Sequence, residues 1–306
     1  MKKLLWMLLL GTLIAVSSAE RSPRAVVQAS MRNVMYHFTS TIAAHIIQLE
    51  GELSPTEKNG LPVFDDSNSF TIVIRSATIS VLIDSLTSAL NQYVLKAPDS
   101  PIKDVRISAN SEKLRIKGRL HSKGDVPFET EGELSVTPNG KIRVHTEKIK
   151  AGHLPVKGLL DLLGKDLSRL IDTRKVPGLS IEKDDLLLTP SELFPPPHIQ
   201  GNLRSISIAG NQIVQQYGDD SSARAAFAGN YMAYRGGRLR FGKLTMSDAD
   251  LTLIDMDPQD PFDFYLDHYK EQLVAGYTKI TPKFGLRSYF RDYNKLNPQQ
   301  KSGARR

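Results

Sequence analysis

The chain predicts an α+β fold: a curled antiparallel β-sheet, built of meanders, wrapped around amphipathic helices. Three observations carry this. Leu114, Ile116, Gly118 and Leu120 alternate with Arg115, Lys117, Arg119 and His121, the period of a strand with one dry and one wet face. Ile79, Leu82, Ile83, Leu86, Leu90 and Val94 recur at helical spacing over residues 78–95. Leu159, Leu160, Leu163, Leu167, Leu170 and Ile171 repeat that spacing over residues 154–171.

Residues 1–19 read as a signal peptide. Lys2 and Lys3 supply the positive end, residues 4–16 an apolar stretch too short to span a bilayer comfortably, and Ser17-Ser18-Ala19 a small-residue cleavage site. An uncleaved anchor is the alternative. The chain has no cysteine, so disulfides and thiol chemistry are excluded. An exported protein, soluble or peripheral to the membrane and suited to a bacterial periplasm, is expected. The formal net charge is +7, a basic excess that favours anionic surfaces such as phospholipid headgroups. No nucleic-acid recognition motif is present.

Residues 20–33 read as a leader. From Val34 the apolar positions alternate through Tyr36, Phe38, Ile42, Ala44 and Ile46, then after a phase shift through Leu49, Gly51 and Leu53. The same residues also fit a helix, and their β-branched and aromatic character tips the reading toward strands. Residues 54–69 are a polar loop, and Phe70 to Ile74 a strand. The helix over 78–95 ends at Pro98 and Pro101.

The meander over 104–149 follows. Phe128, Thr130, Gly132, Leu134 and Val136 alternate with Glu129, Glu131, Glu133 and Ser135. A turn at 122–125 sets Leu120 opposite Phe128, Arg119 opposite Glu129, Lys117 opposite Glu131 and Arg115 opposite Glu133. Thr137-Pro138-Asn139-Gly140-Lys141 reads as a three-residue hairpin loop with a Gly bulge, which sets Val136 opposite Ile142 and Leu134 opposite Val144. Gly118 and Gly132 fall on the apolar face and mark bends or close approaches. After the helix over 154–171, strands are expected at Leu179 to Ile181 and Leu186 to Leu188. A further pair spans 199–217, turning at Ala209-Gly210-Asn211.

This succession resembles the LmeA-type phospholipid-binding proteins of the bacterial periplasm and, more distantly, the tubular lipid-binding proteins related to the bactericidal/permeability-increasing protein. The resemblance rests on the helix over 78–95, the alternations Leu114 to Leu120 and Phe128 to Val136, and the Asn139-Gly140 turn. The helix over 154–171 and Val176-Pro177-Gly178-Leu179 complete it. It covers about half of the chain, residues 70–217, in diffuse apolar patterns. It implies a lipid-binding domain, residues 34–217, with acyl chains held between curved sheet and helix, and it supplies no catalytic residues.

The expected lipid-contacting face comprises Val105, Ile107, Leu114, Ile116, Gly118, Leu120, Phe128, Gly132, Leu134, Val136, Ile142 and Val144. Leu82, Leu86, Leu90, Leu159 and Leu163 supply the helical wall. Gly118 and Gly132 are expected to leave room for chains. The competing reading is a closed core in a structural or partner-binding module.

Residues 218–226 read as a linker and 227–306 as a C-terminal hairpin plus helix with a basic, aromatic tail. Residues 231–234 and 239–244 suggest the hairpin, Leu251 and Leu253 a strand, and 262–275 a helix capped by Asp260 with Pro261 at its first position. Asp255, Asp257, Asp260 and Asp263 crowd together. A calcium loop is one reading, but Pro258 and Pro261 interrupt its signature. A metal-assisted hydrolase on this cluster is the enzymatic alternative. Lys283, Arg287, Tyr289, Phe290 and Arg291 interleave rings with cations, as at a membrane interface. The other reading folds this segment onto the sheet through its aromatics. The seven histidines show no helical zinc spacing, and nucleophile elbow and phosphate loop are both lacking. We therefore expect no enzyme and no cofactor.

Overall fold

The computed structural model describes residues 26–121, 125–151, 176–182, 185–218 and 228–297. Among the described residues strands account for 57% and helix for 12%, with two short α-helices. The protein is therefore mostly β, and the α+β expectation is overturned.

In chain order the elements are β1 (Val27–His37), β2 (Ala43–Pro55), β3 (Phe70–Leu82), α1 (Ile83–Ala89), a π-helical turn (Leu90–Val94), β4 (Ile102–Asn110) and β5 (Lys113–His121). There follow β6 (Asp125–Val136), β7 (Ile142–Ala151), β8 (Leu179–Glu182), β9 (Asp185–Leu188), β10 (His198–Gln200), β11 (Leu203–Ala209) and β12 (Gln212–Gly218). The chain ends with β13 (Tyr231–Gly236), β14 (Leu239–Phe241), β15 (Leu244–Met246), β16 (Ala249–Asp255), β17 (Phe262–Tyr265), α2 (Tyr269–Ala275), β18 (Tyr277–Ile280) and β19 (Leu286–Phe290).

An 11-stranded mixed sheet runs β11-β12-β3-β2-β1-β13-β16-β19-β18, with β10 added on β3 and β17 on β1. A 6-stranded antiparallel sheet runs β4-β5-β6-β7-β9-β8. Neither closes into a barrel. The two meet where β11 packs on β6 and α1 packs on β4. A second packing centre lies on the large sheet, where the buried Phe64 ring makes edge contacts with Tyr234, Phe241, Phe264 and Tyr269.

The three expected helices fare differently. Over 78–95 the strand β3 continues to Leu82 before α1 starts. Thr78, Ile79 and Val81 are β-branched, and β3 finds partners on both edges in β2 and β12, so ladder pairing overrides the helical spacing. Over 262–275 the first four residues are strand β17, and Asp260 is no N-cap. Phe262 and Phe264, both 0% exposed, need the two-residue period to share one dry face. The expected helix over 154–171 lies outside the described residues.

The expected leader is strand from Val27 onward, because Val27, Ala29 and Met31 alternate as buried positions and Val34 and Tyr36 resume the period past Asn33. The C-terminal part shares the sheet of the N-terminal strands: β13 and β17 both pair with β1. The hairpin expected over 231–244 is instead β14–β15, since β13 pairs with β1 and β16.

In the small sheet the expected β6–β7 register holds, with Val136 opposite Ile142 and Leu134 opposite Val144. Its turn also holds: Gly140 has φ +76°, and the Thr137 N–H donates to the Lys141 carbonyl at 2.9 Å. The β5–β6 register differs from expectation by two residues. His121 pairs with Asp125, so Arg115 faces Glu131, Lys117 faces Glu129 and Lys113 faces Glu133. β5 runs to His121 and β6 starts at Asp125. A two-residue slip keeps every side chain on its face, and the charge ladder is re-partnered rather than lost. Arg115 meets Glu131 at 2.8 Å, Lys117 meets Glu129 at 3.3 Å and Lys113 meets Glu133 at 3.4 Å.

Candidate functional site

The dry face of the 6-stranded sheet turns toward the β3–β12–β11 edge of the large sheet, and an apolar groove lies between them. It holds about 1240 Å³ of space between atoms, mouth included, with a cavity of about 120 Å³ inside. An apolar void of this order stays dry and accepts hydrocarbon.

Most of the expected face is in its wall: Val105, Ile107, Leu114, Ile116, Leu120, Phe128, Leu134, Ile142 and Val144 from the sheet, and Leu86 and Leu90 from α1 and the π turn. The helical residues are aimed by Asn91. Its Nδ2 donates to the Val105 carbonyl at 2.7 Å, and its Oδ1 accepts the Val105 N–H at 2.9 Å. This side chain replaces a strand partner where β4 shifts register between Lys103 and Arg106. It clips the turn to the sheet, so Leu86 and Leu90 face inward.

Other expected residues are placed differently. Leu82 is 38% exposed. As the last residue of a strand it points away from its neighbour Val81, which takes its place in the wall. Val136 packs against the core but does not line the groove. Gly118 and Gly132 make room for protein side chains, not for a guest. A Cβ at Gly118 would sit 2.8 Å from the Phe128 ring, and one at Gly132 would sit 2.7 Å from a Val144 methyl. Leu159 and Leu163 lie outside the described residues.

Sequence reasoning missed the contribution of the large sheet: Val81, Ile206, Ile213 and Gln215. The alternation Ile213, Gln215, Tyr217 was the available signal, but the middle member is polar. A second, smaller apolar cavity, about 590 Å³ of space between atoms, lies along β1–β3 beneath Phe194 and Pro197. It shares Val81 and Gln215 with the first.

The acidic cluster already holds a cation of the chain's own. Lys295 Nζ lies 2.5 Å from Asp257, 3.1 Å from Asp260 and 2.9 Å from Asp292, in the space a cation bound by these three carboxylates would take. Hydrogen bonds to Asp257 and Asp292 hold the ammonium protonated. The other two acids of the expected cluster are engaged elsewhere. Asp263 meets His37 Nε2 at 2.7 Å, and Asp255 accepts from Asn230 and from the Asp257 N–H, each at 2.8 Å. His37 stacks on Tyr265.

The expected membrane-facing set divides. Phe290 is 0% exposed, so it is a core residue of β19. Arg287 is paired with Asp250 at 2.9 Å. Tyr289 stacks on Tyr277 at 4.5 Å, with Lys279 over both rings. Lys283 and Arg291 are exposed. The apolar surface of this region is instead Ile280, 71% exposed, and Phe284, 91% exposed, at the β18–β19 turn.

No helix among the described residues is long and apolar enough to cross a membrane. No family model, curated protein or solved structure matches the chain.

Proposed function

We propose that this chain binds an acyl-chain ligand, a phospholipid or similar lipid, in the groove between its two sheets, and that it does so after export to the periplasm. The observation that carries the reading is the composition of the groove. Its described lining is hydrocarbon except for Thr130, Thr146 and Gln215. Each ligand CH₂ taken from water into such a wall contributes about 0.8 kcal/mol, enough for one chain to offset the cost of ordering it. The resemblance to LmeA-type proteins points the same way through β5, β6 and the Asn139-Gly140 turn. The basic N-terminus and apolar stretch of residues 1–19 support export.

The β18–β19 turn is the element we assign to an anionic bilayer surface. Phe284 and Ile280 present hydrocarbon, and Lys279 and Lys283 beside them present positive charge to headgroup phosphate.

Ile116→Glu tests the binding site. Ile116 lines the groove without being fully enclosed, and a carboxylate there sets a charge in a dry cavity. Lipid affinity is expected to fall at least about tenfold while circular dichroism and melting temperature stay near wild type. Unchanged affinity refutes the site. Collapse of the fold identifies Ile116 as plain core.

A further inference from the structure

Gln215 is the odd member of the groove. It sits on β12 between Ile213 and Tyr217, all three on the buried face of the strand. It is 6% exposed, lines both apolar cavities and, with Val81, forms the boundary between them. Its carboxamide oxygen accepts the hydroxyl of the buried Tyr217 at 2.7 Å. That bond orients the amide and leaves its nitrogen for the cavity. Among the described residues nothing accepts a hydrogen bond from that nitrogen. The other polar groups of the wall are provided for within the chain: Thr130 donates to the Glu131 carbonyl, and Thr146 has an intramolecular partner.

An amide donor that faces an apolar cavity with no protein acceptor forfeits hydrogen-bond energy. The Gln215 nitrogen, unlike Thr252 Oγ1, is not fully enclosed, and so keeps surface open to a guest. A leucine at this position would bury the same volume without that penalty. We infer that Gln215 recognises a carbonyl oxygen of the guest, and that the ligand is an acyl ester rather than a bare hydrocarbon. Its ester group stands at the boundary, with apolar arms reaching into the cavities on either side. This inference rests on the lipid-binding reading and deepens it. It names Gln215 as a specificity-determining residue, positioned by Tyr217.

The experiment uses the purified chain loaded with the apolar fluorophore N-phenyl-1-naphthylamine. Displacement is measured with methyl hexadecanoate and with an alkane of equal length, on wild type and on Gln215→Leu. Wild type is expected to prefer the ester by about tenfold, and Gln215→Leu to bind the two alike. A wild type without preference overturns the inference whether or not the variant folds. So does a Gln215→Leu variant that keeps the preference. Failure of both ligands to displace the fluorophore from wild type removes the lipid-binding reading itself, and the inference falls with it.

Discussion

Asp255 shows how a single carboxylate couples this fold to pH. It is 5% exposed at the end of β16, and burial pushes its pKa from the ordinary 3.8 up to about 6 against the opposing hydrogen bonds from the Asp257 N–H and Asn230. Asp292 and Asp257 nearby add to the rise. Between those values the folded chain keeps a proton that the unfolded chain has released. Asp255 therefore lowers stability progressively as pH rises from 3.8 to about 6, and its effect is constant above that. Glu131 acts in the opposite sense, since its hydrogen bond from Arg115 lowers its pKa. Denaturation midpoints of wild type and Asp255→Asn across pH 4 to 7 isolate the first effect. The stability difference between them is expected to shift in favour of the variant as pH rises, and to level off near pH 6. A constant difference would contradict the assignment.

At the level of elements, alternation was legible wherever both faces were marked. In β5 and β6 the cations and glutamates identify the wet face as clearly as Leu114 and Leu134 identify the dry one. The face assignment therefore survived the two-residue change of register. The same logic failed at β3 and β17. The second side of β3 carries Thr78 and the buried Ser80, too weakly polar to veto a helix, and the apolar residues of α1 continue its pattern. In β17, two phenylalanines and a tyrosine in four residues satisfy either period. What decided both was pairing with distant strands, β12 for β3 and β1 for β17, which no local window contains.

The β18–β19 turn is held in an unusual conformation. Phe284 adopts φ +61°, a conformation unusual for an aromatic residue. It is held there by bonds from Thr281 N–H to the Gly285 carbonyl and from Phe284 N–H to the Thr281 carbonyl, and the ring projects into solvent. Replacing Phe284 and Ile280 together by Glu is expected to abolish co-sedimentation with vesicles of phosphatidylglycerol, with lipid occupancy of the groove unchanged. Vesicle binding equal to wild type would show that the turn is no docking element.

Across the whole molecule, strand order sets two ends apart. The groove borders β11, β12 and β3 at one end of the large sheet, and the β18–β19 turn closes the other. Eight inter-strand steps separate the outermost strands, roughly 40 Å along the sheet. The proposed membrane contact is therefore not the mouth of the groove. The sequence could not reveal this separation, because Leu114 and Phe284 acquire their relative positions only through the order in which β1, β13, β16 and β19 pair. The groove's sheet wall was readable because its residues lie in one meander. Val81, Ile213 and Gln215 complete it from strands that are sequence-distant and join only through β3.

Native mass spectrometry of the protein purified from a lipid-containing host bears most directly on whether the groove is a binding site. The account predicts a population carrying the mass of an acyl ester lipid, released as the intact lipid on activation and absent from Ile116→Glu. A protein of bare polypeptide mass that remains so after incubation with phospholipid would contradict it.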